Sequence, residues 1–201
     1  MLIDSIKIFL LFNLIDWILS LWYKPKISRN FIACFHANFS VLFNGIYFLT
    51  YYDFFSYYSF CVSIGYFLFD MYYIVIYENI NLLRAMYLYH HFASIYMILN
   101  CNQIPYSHDL IFFGELSNLP SYVIYHYLHL DNKKKYSEEI KYWKLVQKIL
   151  YGIIRIGIMS IYLFYMAINL DFSNYHQILV SLAILPIYFM GLAWTFLLIK
   201  G

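Results

Sequence analysis

Charge is what this sequence has least of. Only 12% of its 201 residues are Asp, Glu, Lys or Arg, against roughly 25% in soluble domains. With 63% hydrophobic residues and a mean hydropathy of +0.62, that shortage excludes an ordinary soluble domain and points to a polytopic membrane protein. Cysteine is scarce too. Cys34, Cys61 and Cys101 have no metal-ligand spacing and read as small buried hydrophobes. The few basic residues form no surface that could read nucleic acid. The first apolar stretch lacks a basic leader and a small-residue cleavage site, so it reads as a retained helix, not a signal peptide. No internal repeat, retrieval signal or lipidation motif is evident.

What the chain has instead is apolar runs. Seven are expected as membrane helices, at about residues 3–22, 31–51, 57–77, 85–100, 109–130, 145–170 and 177–199. A helix needs about 20 residues to span the hydrocarbon. The fourth run is short unless Leu82 and Leu83 join it. Pro186 is expected to kink the seventh. The chain reads as one domain with no soluble appendage: an N-terminal helix at 1–23, then a main unit at 24–201. The 24 Tyr and 19 Phe suit membrane interfaces, but AT-rich codon bias would enrich them equally.

The basic residues order the loops. Lys24, Lys26 and Arg29 are expected in the first turn, Arg84 in the third, Lys133, Lys134, Lys135, Lys141 and Lys144 in the polar stretch 131–144, and Lys200 in the tail. The second, fourth and sixth loops hold no Lys or Arg. The fourth is a turn at 101–107 containing Pro105. With seven helices every basic loop falls on one side, which makes that side cytoplasmic and puts the N-terminus outside.

Ionisable groups inside the runs need a reason. The adjacent pair His90 and His91, in YLYHHFASIYMIL, stands out most. At ~1.5 Å per residue, His36, Asp70, His90, His91, Glu115 and Arg155 all fall between the inner leaflet and the midplane. They are expected to converge on one cavity, with Asp70, Glu115 and Arg155 as neighbours of the histidine pair. Pro120 frees the carbonyl of Leu116 from its helical bond, close to Glu115 and Ser117. The bland reading of each stays open: His36 as an interhelical hydrogen-bonder, and Asp70 and Glu115 as partners that hold Arg155. His108, His126, His129 and His176 read as interfacial. No metal is expected, because adjacent histidines point ~100° apart.

Five segments in order resemble one known family: ISRNFIACFHA at 27–37, SIGYFLFD ending at Asp70, YLYHHFASIY around His90 and His91, GELSNLP with Glu115 and Ser117, and IIRIGIM with Arg155. Together the set is similar to the TLC domain, which is shared by translocating-chain-associating membrane proteins, longevity-assurance ceramide synthases and neuronal ceroid lipofuscinosis membrane proteins. The small generic TLC-domain transmembrane proteins are the nearest in character. Phe112 stands where the synthases would carry a second aspartate after His108-Asp109, and their homeobox-like region is absent. The resemblance implies an all-α, TLC-type barrel of six helices around a lipid-sized cavity, preceded by one extra helix. It also implies an endoplasmic reticulum or other endomembrane location and membrane lipids as partners.

Two functions follow. One is a lipid-binding or lipid-handling protein, with His36, Asp70, Ser117 and Arg155 holding the headgroup. The other is an intramembrane acyltransferase using His90, His91 and Glu115, with acyl-CoA as co-substrate and no resident cofactor.

Overall fold

The structure, a computed structural model, describes residues 1–101, 106–130 and 133–200. Pro105 of the expected turn, Asp131 and Asn132 of the polar stretch, and Gly201 lie outside the described residues, as do the side chains of Lys133, Lys134 and Lys200. The described residues form helices and no strand. In order these are α1 (Leu2–Ser20), α2 (Pro25–Thr50), α3 (Asp53–Tyr77), α4 (Leu82–Leu99), α5 (Ser107–His129), α6 (Ser137–Leu150), α7 (Met159–Ile168) and α8 (Tyr175–Lys200). A π-helical stretch at Tyr151–Ile158 joins α6 to α7, so Ser137–Ile168 is one continuous rod.

Several helix ends have local causes. Pro25 occupies the first turn of α2, where its fixed φ suits a helix start and its missing N–H costs nothing. That places Arg29 inside α2, not in the basic turn expected before it. Tyr51, at φ 52°, closes α2 in the left-handed conformation. Asn81 caps α4, its Oδ1 accepting from the Arg84 N–H at 3.0 Å. That start brings Leu82 and Leu83 into α4. Part of the expected polar loop is helix, since α6 begins at Ser137 and carries Lys141 and Lys144.

Six rods close into a ring. α2 packs on α3, α3 on α4, α4 on α8, α8 on the Ser137–Ile168 rod, that rod on α5, and α5 back on α2. Helix α1 stands outside, mainly against α3. The approach is close because Gly65 has no side chain: a Cβ there would sit 2.7 Å from Ile8 Cγ2 and 3.0 Å from the Ser5 carbonyl oxygen. Small residues let helix backbones meet in this way. Phe12 then packs edge-on against Tyr66 and beside Phe69.

The α2–α3 seam is polar. Asn44 Nδ2 donates to Ser59 Oγ at 2.7 Å, Ser40 and Ser59 hydroxyls meet at 3.4 Å, and His36 Nε2 lies 3.2 Å from Ser63 Oγ. All five side chains are buried. Apolar side chains cover the outside instead: Phe92 is 65% exposed while its neighbour His91 is 5% exposed. A buried polar seam within an apolar core, together with many large apolar side chains exposed on the outside, suits a lipid surround.

Among the described residues four helices are long and apolar enough to cross a membrane: Pro25–Thr50, Asp53–Tyr77, Ser137–Ile168 and Tyr175–Leu198. Helices α1, α4 and α5 do not meet that standard, against the seven spans expected. Asp4, Lys7 and Asp16 lie in α1, Arg84 and the histidine pair in α4, and Asp109, Glu115 and Asn118 in α5. The chain is thus helical, with several apolar helices compatible with a membrane-embedded protein.

Candidate functional site

The ring encloses a cavity of about 750 Å³. All six rods contribute to its lining and α1 contributes nothing. One end is polar and is built from the start of α2, the end of α3 and the start of α4, through Lys26, Arg29, Glu78 and Arg84. The other end is apolar and is lined by Met97, Leu110, Leu163 and Ile184. His90, His91, Asp70, Glu115 and Arg155 line the space between.

A chain of charges runs inward from the polar end. Arg84 Nε meets one oxygen of Glu78, and the other accepts from Arg29 Nη1 at 2.6 Å. Arg29 Nε donates to Asp70 Oδ1 at 2.7 Å, with its guanidinium 4.7 Å from the Tyr73 ring centroid. Asp70 Oδ2 lies 2.8 Å from His91 Nε2. A carboxylate can only accept, so Nε2 carries a proton, and in the neutral ring Nδ1 then keeps its lone pair. That Nδ1 is buried and has no hydrogen-bond partner. The His91 ring is held flat against Phe67, centroids 5.0 Å apart. An acidic partner on one nitrogen and an open lone pair on the other make His91 an acceptor or base directed by Asp70. His90, half-buried in the same lining, has its ring centroid 5.4 Å from that of His91.

Arg155 enters from the opposite wall. It sits within the π-helical stretch, and local π geometry recurs at functional positions. Its Nε donates to Ser117 Oγ at 3.1 Å and its Nη2 to Asn118 Oδ1 at 2.6 Å, while the guanidinium stacks 4.2 Å from the Tyr151 centroid. Gly191 of α8 makes room, since a Cβ there would stand 3.0 Å from Arg155 Nη1. Glu115, on α5, leaves Oε2 buried without a hydrogen-bond partner.

Five of the seven residues singled out in the sequence therefore share one cavity. Asp70 is paired with Arg29 and His91, whereas Arg155 is held by Ser117 and Asn118. His36 lies behind the wall, fully buried and stacked on Tyr66 at 4.2 Å. Ser117 is also behind the lining, donating to the Gly114 carbonyl at 2.7 Å while it accepts from Arg155. Arg29, Glu78, Arg84 and Asn118 are the residues that the sequence reading missed. Pro25 was the available signal for Arg29, because it starts the helix nearly two turns earlier. Of the other histidines, His129 lines the polar end, and His176 reaches Tyr96 Oη at 3.1 Å. His108 lies between the Tyr47 and Phe60 rings near the opposite end. Among the described residues no group of His, Cys, Asp and Glu is placed to hold a metal ion.

No family model, curated protein or solved structure matches the chain.

Proposed function

We propose that this is a polytopic membrane protein that binds a lipid in the ring cavity. The observation that carries the reading is the cavity's polarity: charged at one end, apolar at the other, and wrapped in an apolar exterior. Its volume falls within the range of about 300–1,000 Å³ typical of ligand sites. A lipid tail would enter the apolar end, with the headgroup against the polar band. The seven-span topology belongs to this proposal. In α4 the histidine pair lines the cavity while Phe92 and Leu99 are exposed on the outside, which supports counting it as a span despite its averaged hydropathy. Membership of the TLC family and an endomembrane location are part of the same reading. Six rods around one cavity, with one helix outside, support it.

The test is mass spectrometry of lipid retained by purified protein, wild type beside His90→Ala/His91→Ala. Specific lipid in the wild type, reduced in the variant, is the expected result. A wild-type cavity that retains no lipid refutes the reading.

A second reading, acyl transfer, is favoured by the Asp70–His91 arrangement. His91 Nδ1 would take the proton of an amine or hydroxyl acceptor as its nitrogen or oxygen attacks the carbonyl of an acyl-CoA thioester. The new C–N or C–O bond forms, the C–S bond breaks, and the proton passes to the departing thiolate. Glu115 and His90 would position the acceptor. Purified protein given acyl-CoA and candidate acceptors tests this, and turnover undiminished in His91→Ala would sink it.

A further inference from the structure

Three groups at mid-cavity have unmet needs, and they are chemically complementary to one kind of ligand. Arg155 has only neutral partners, Ser117, Asn118 and the Tyr151 ring; among the described residues no carboxylate lies within ion-pair distance of it. An arginine at membrane depth normally meets a counter-charge. Across the same space, His91 Nδ1 and Glu115 Oε2 are buried without hydrogen-bond partners, on residues only 5% and 8% exposed. With Nε2–H on Asp70, Nδ1 of the neutral His91 ring is an acceptor. The cavity thus offers a guanidinium with no direct ion pair and two side-chain atoms without a hydrogen-bond partner. Unmet buried polar groups of this kind mark where a ligand group belongs.

The apolar end bounds the rest of the ligand. Met97 lies six residues beyond His91 on α4 and Leu110 five residues beyond Glu115 on α5. That places the floor about 8–9 Å from the polar band. Leu163 and Ile184 line the same end, which suits one tail end-on.

Resting on the lipid-site reading above, we propose that the ligand is a single-chain amphiphile with two headgroup functions: an anionic oxygen group on Arg155 and Asn118, and a neighbouring hydroxyl or amine that donates to His91 Nδ1 and Glu115. The tail fills the pocket of Met97, Leu110, Leu163 and Ile184.

The test offers the purified full-length protein four chain-matched probes: a 3-hydroxy fatty acid, the plain fatty acid, the fatty alcohol and the fatty acid methyl ester. Inorganic phosphate alone is a fifth arm that separates a lipid acid from a free anion. The hydroxy acid binds tightest and the ester weakest. Arg155→Gln weakens both acids by about tenfold or more while leaving the alcohol unchanged, since only a charge-assisted contact is lost. Glu115→Gln diminishes the advantage of the hydroxyl. Alcohol binding by each variant shows that its cavity is intact. Should Arg155→Gln fail to fold, the order of the four probes in the wild type still decides. Equal binding of ester and hydroxy acid, or a uniform loss across all probes in Arg155→Gln, overturns the assignment and leaves the lipid site standing. Phosphate competing as strongly as the fatty acid overturns the single-chain ligand. Binding of none of the probes overturns the lipid-site reading as well.

Discussion

Arg29 is held by two carboxylates at once, Asp70 Oδ1 at 2.7 Å and Glu78 Oε1 at 2.6 Å, and this makes a sharp test of the inner charge chain. Asp70→Asn keeps the shape but can accept only through one oxygen, so either Arg29 or His91 loses its acceptor. Breaking a fully buried pair costs about 3–5 kcal/mol. Here Glu78 still holds the guanidinium and the Arg29 side chain is 19% exposed, so the loss is nearer one charge-assisted hydrogen bond, ~1.5–3 kcal/mol. For a chain of this length that lowers Tm by roughly 3–12 °C. Glu78→Gln is milder, because Glu78 is nearer the open end and Asp70 still pairs with Arg29. Together the two substitutions leave Arg29 with no anion. The double variant is therefore worse than the sum of the singles by ~1–3 kcal/mol. The assay is thermal or denaturant unfolding of the detergent-solubilised single and double variants. Additivity to within about 0.5 kcal/mol, or a negligible effect of Asp70→Asn, refutes a shared Arg29 clamp.

Three further outcomes are expected. Gly65→Val drives a branched side chain into Ile8 and the Ser5 carbonyl; it detaches α1 from α3, seen as faster proteolysis within residues 1–24, while the ring still binds lipid. In a cysteine-free background, Ser173→Cys reacts with an impermeant thiol reagent from the outer side only and Ile80→Cys from the cytoplasmic side only; the same sidedness for both breaks the proposed topology. Asp171, in the turn before α8, accepts from the Ser173 hydroxyl at 2.6 Å and its N–H at 2.9 Å, which holds its carboxyl below the ordinary 3.8. Because the shift is downward, the turn's stabilisation is full above 3.8 and disappears as pH falls through the lower folded value. Carboxyl NMR titration checks it, and Ser173→Ala moves the midpoint back up.

The histidine pair, Asp70, Glu115 and Arg155 were legible because a titratable group in an apolar run is conspicuous, and helical rise fixes its depth. Depth does not fix direction. Each residue turns a helix by ~100°, so His36 shares the depth of Asp70 yet faces a neighbouring helix behind the wall. Arg29, Glu78 and Arg84 were hidden for a different reason. They lie at the edges of apolar runs, where charges that orient a helix in the bilayer are also expected, and composition does not separate those from a paired network. The π-helical stretch has no signature in a 3.6-residue pattern, and YGIIRIGI reads as ordinary helix. Six rods around a cavity were expected from the resemblance, whereas the neighbour relations of the ring come only from the structure.

The neighbour relations also govern when the cavity can exist. Four ring helices are made first, and α2, α3, α4 and α5 form a partial wall whose free edges are α4 and α5. The last gap is closed on the α4 side by α8, through Tyr89 Oη donating to the Ala183 carbonyl at 3.0 Å and Tyr87 packing 5.5 Å from Trp194. Until α8 is synthesised, the face carrying His90 and His91 has no cover on that side. During biogenesis that polar face therefore needs shielding for the time taken to make about 100 residues after α4. Ribosome-bound intermediates arrested before α8 should crosslink to an insertion chaperone through α4, and release it once α8 is complete.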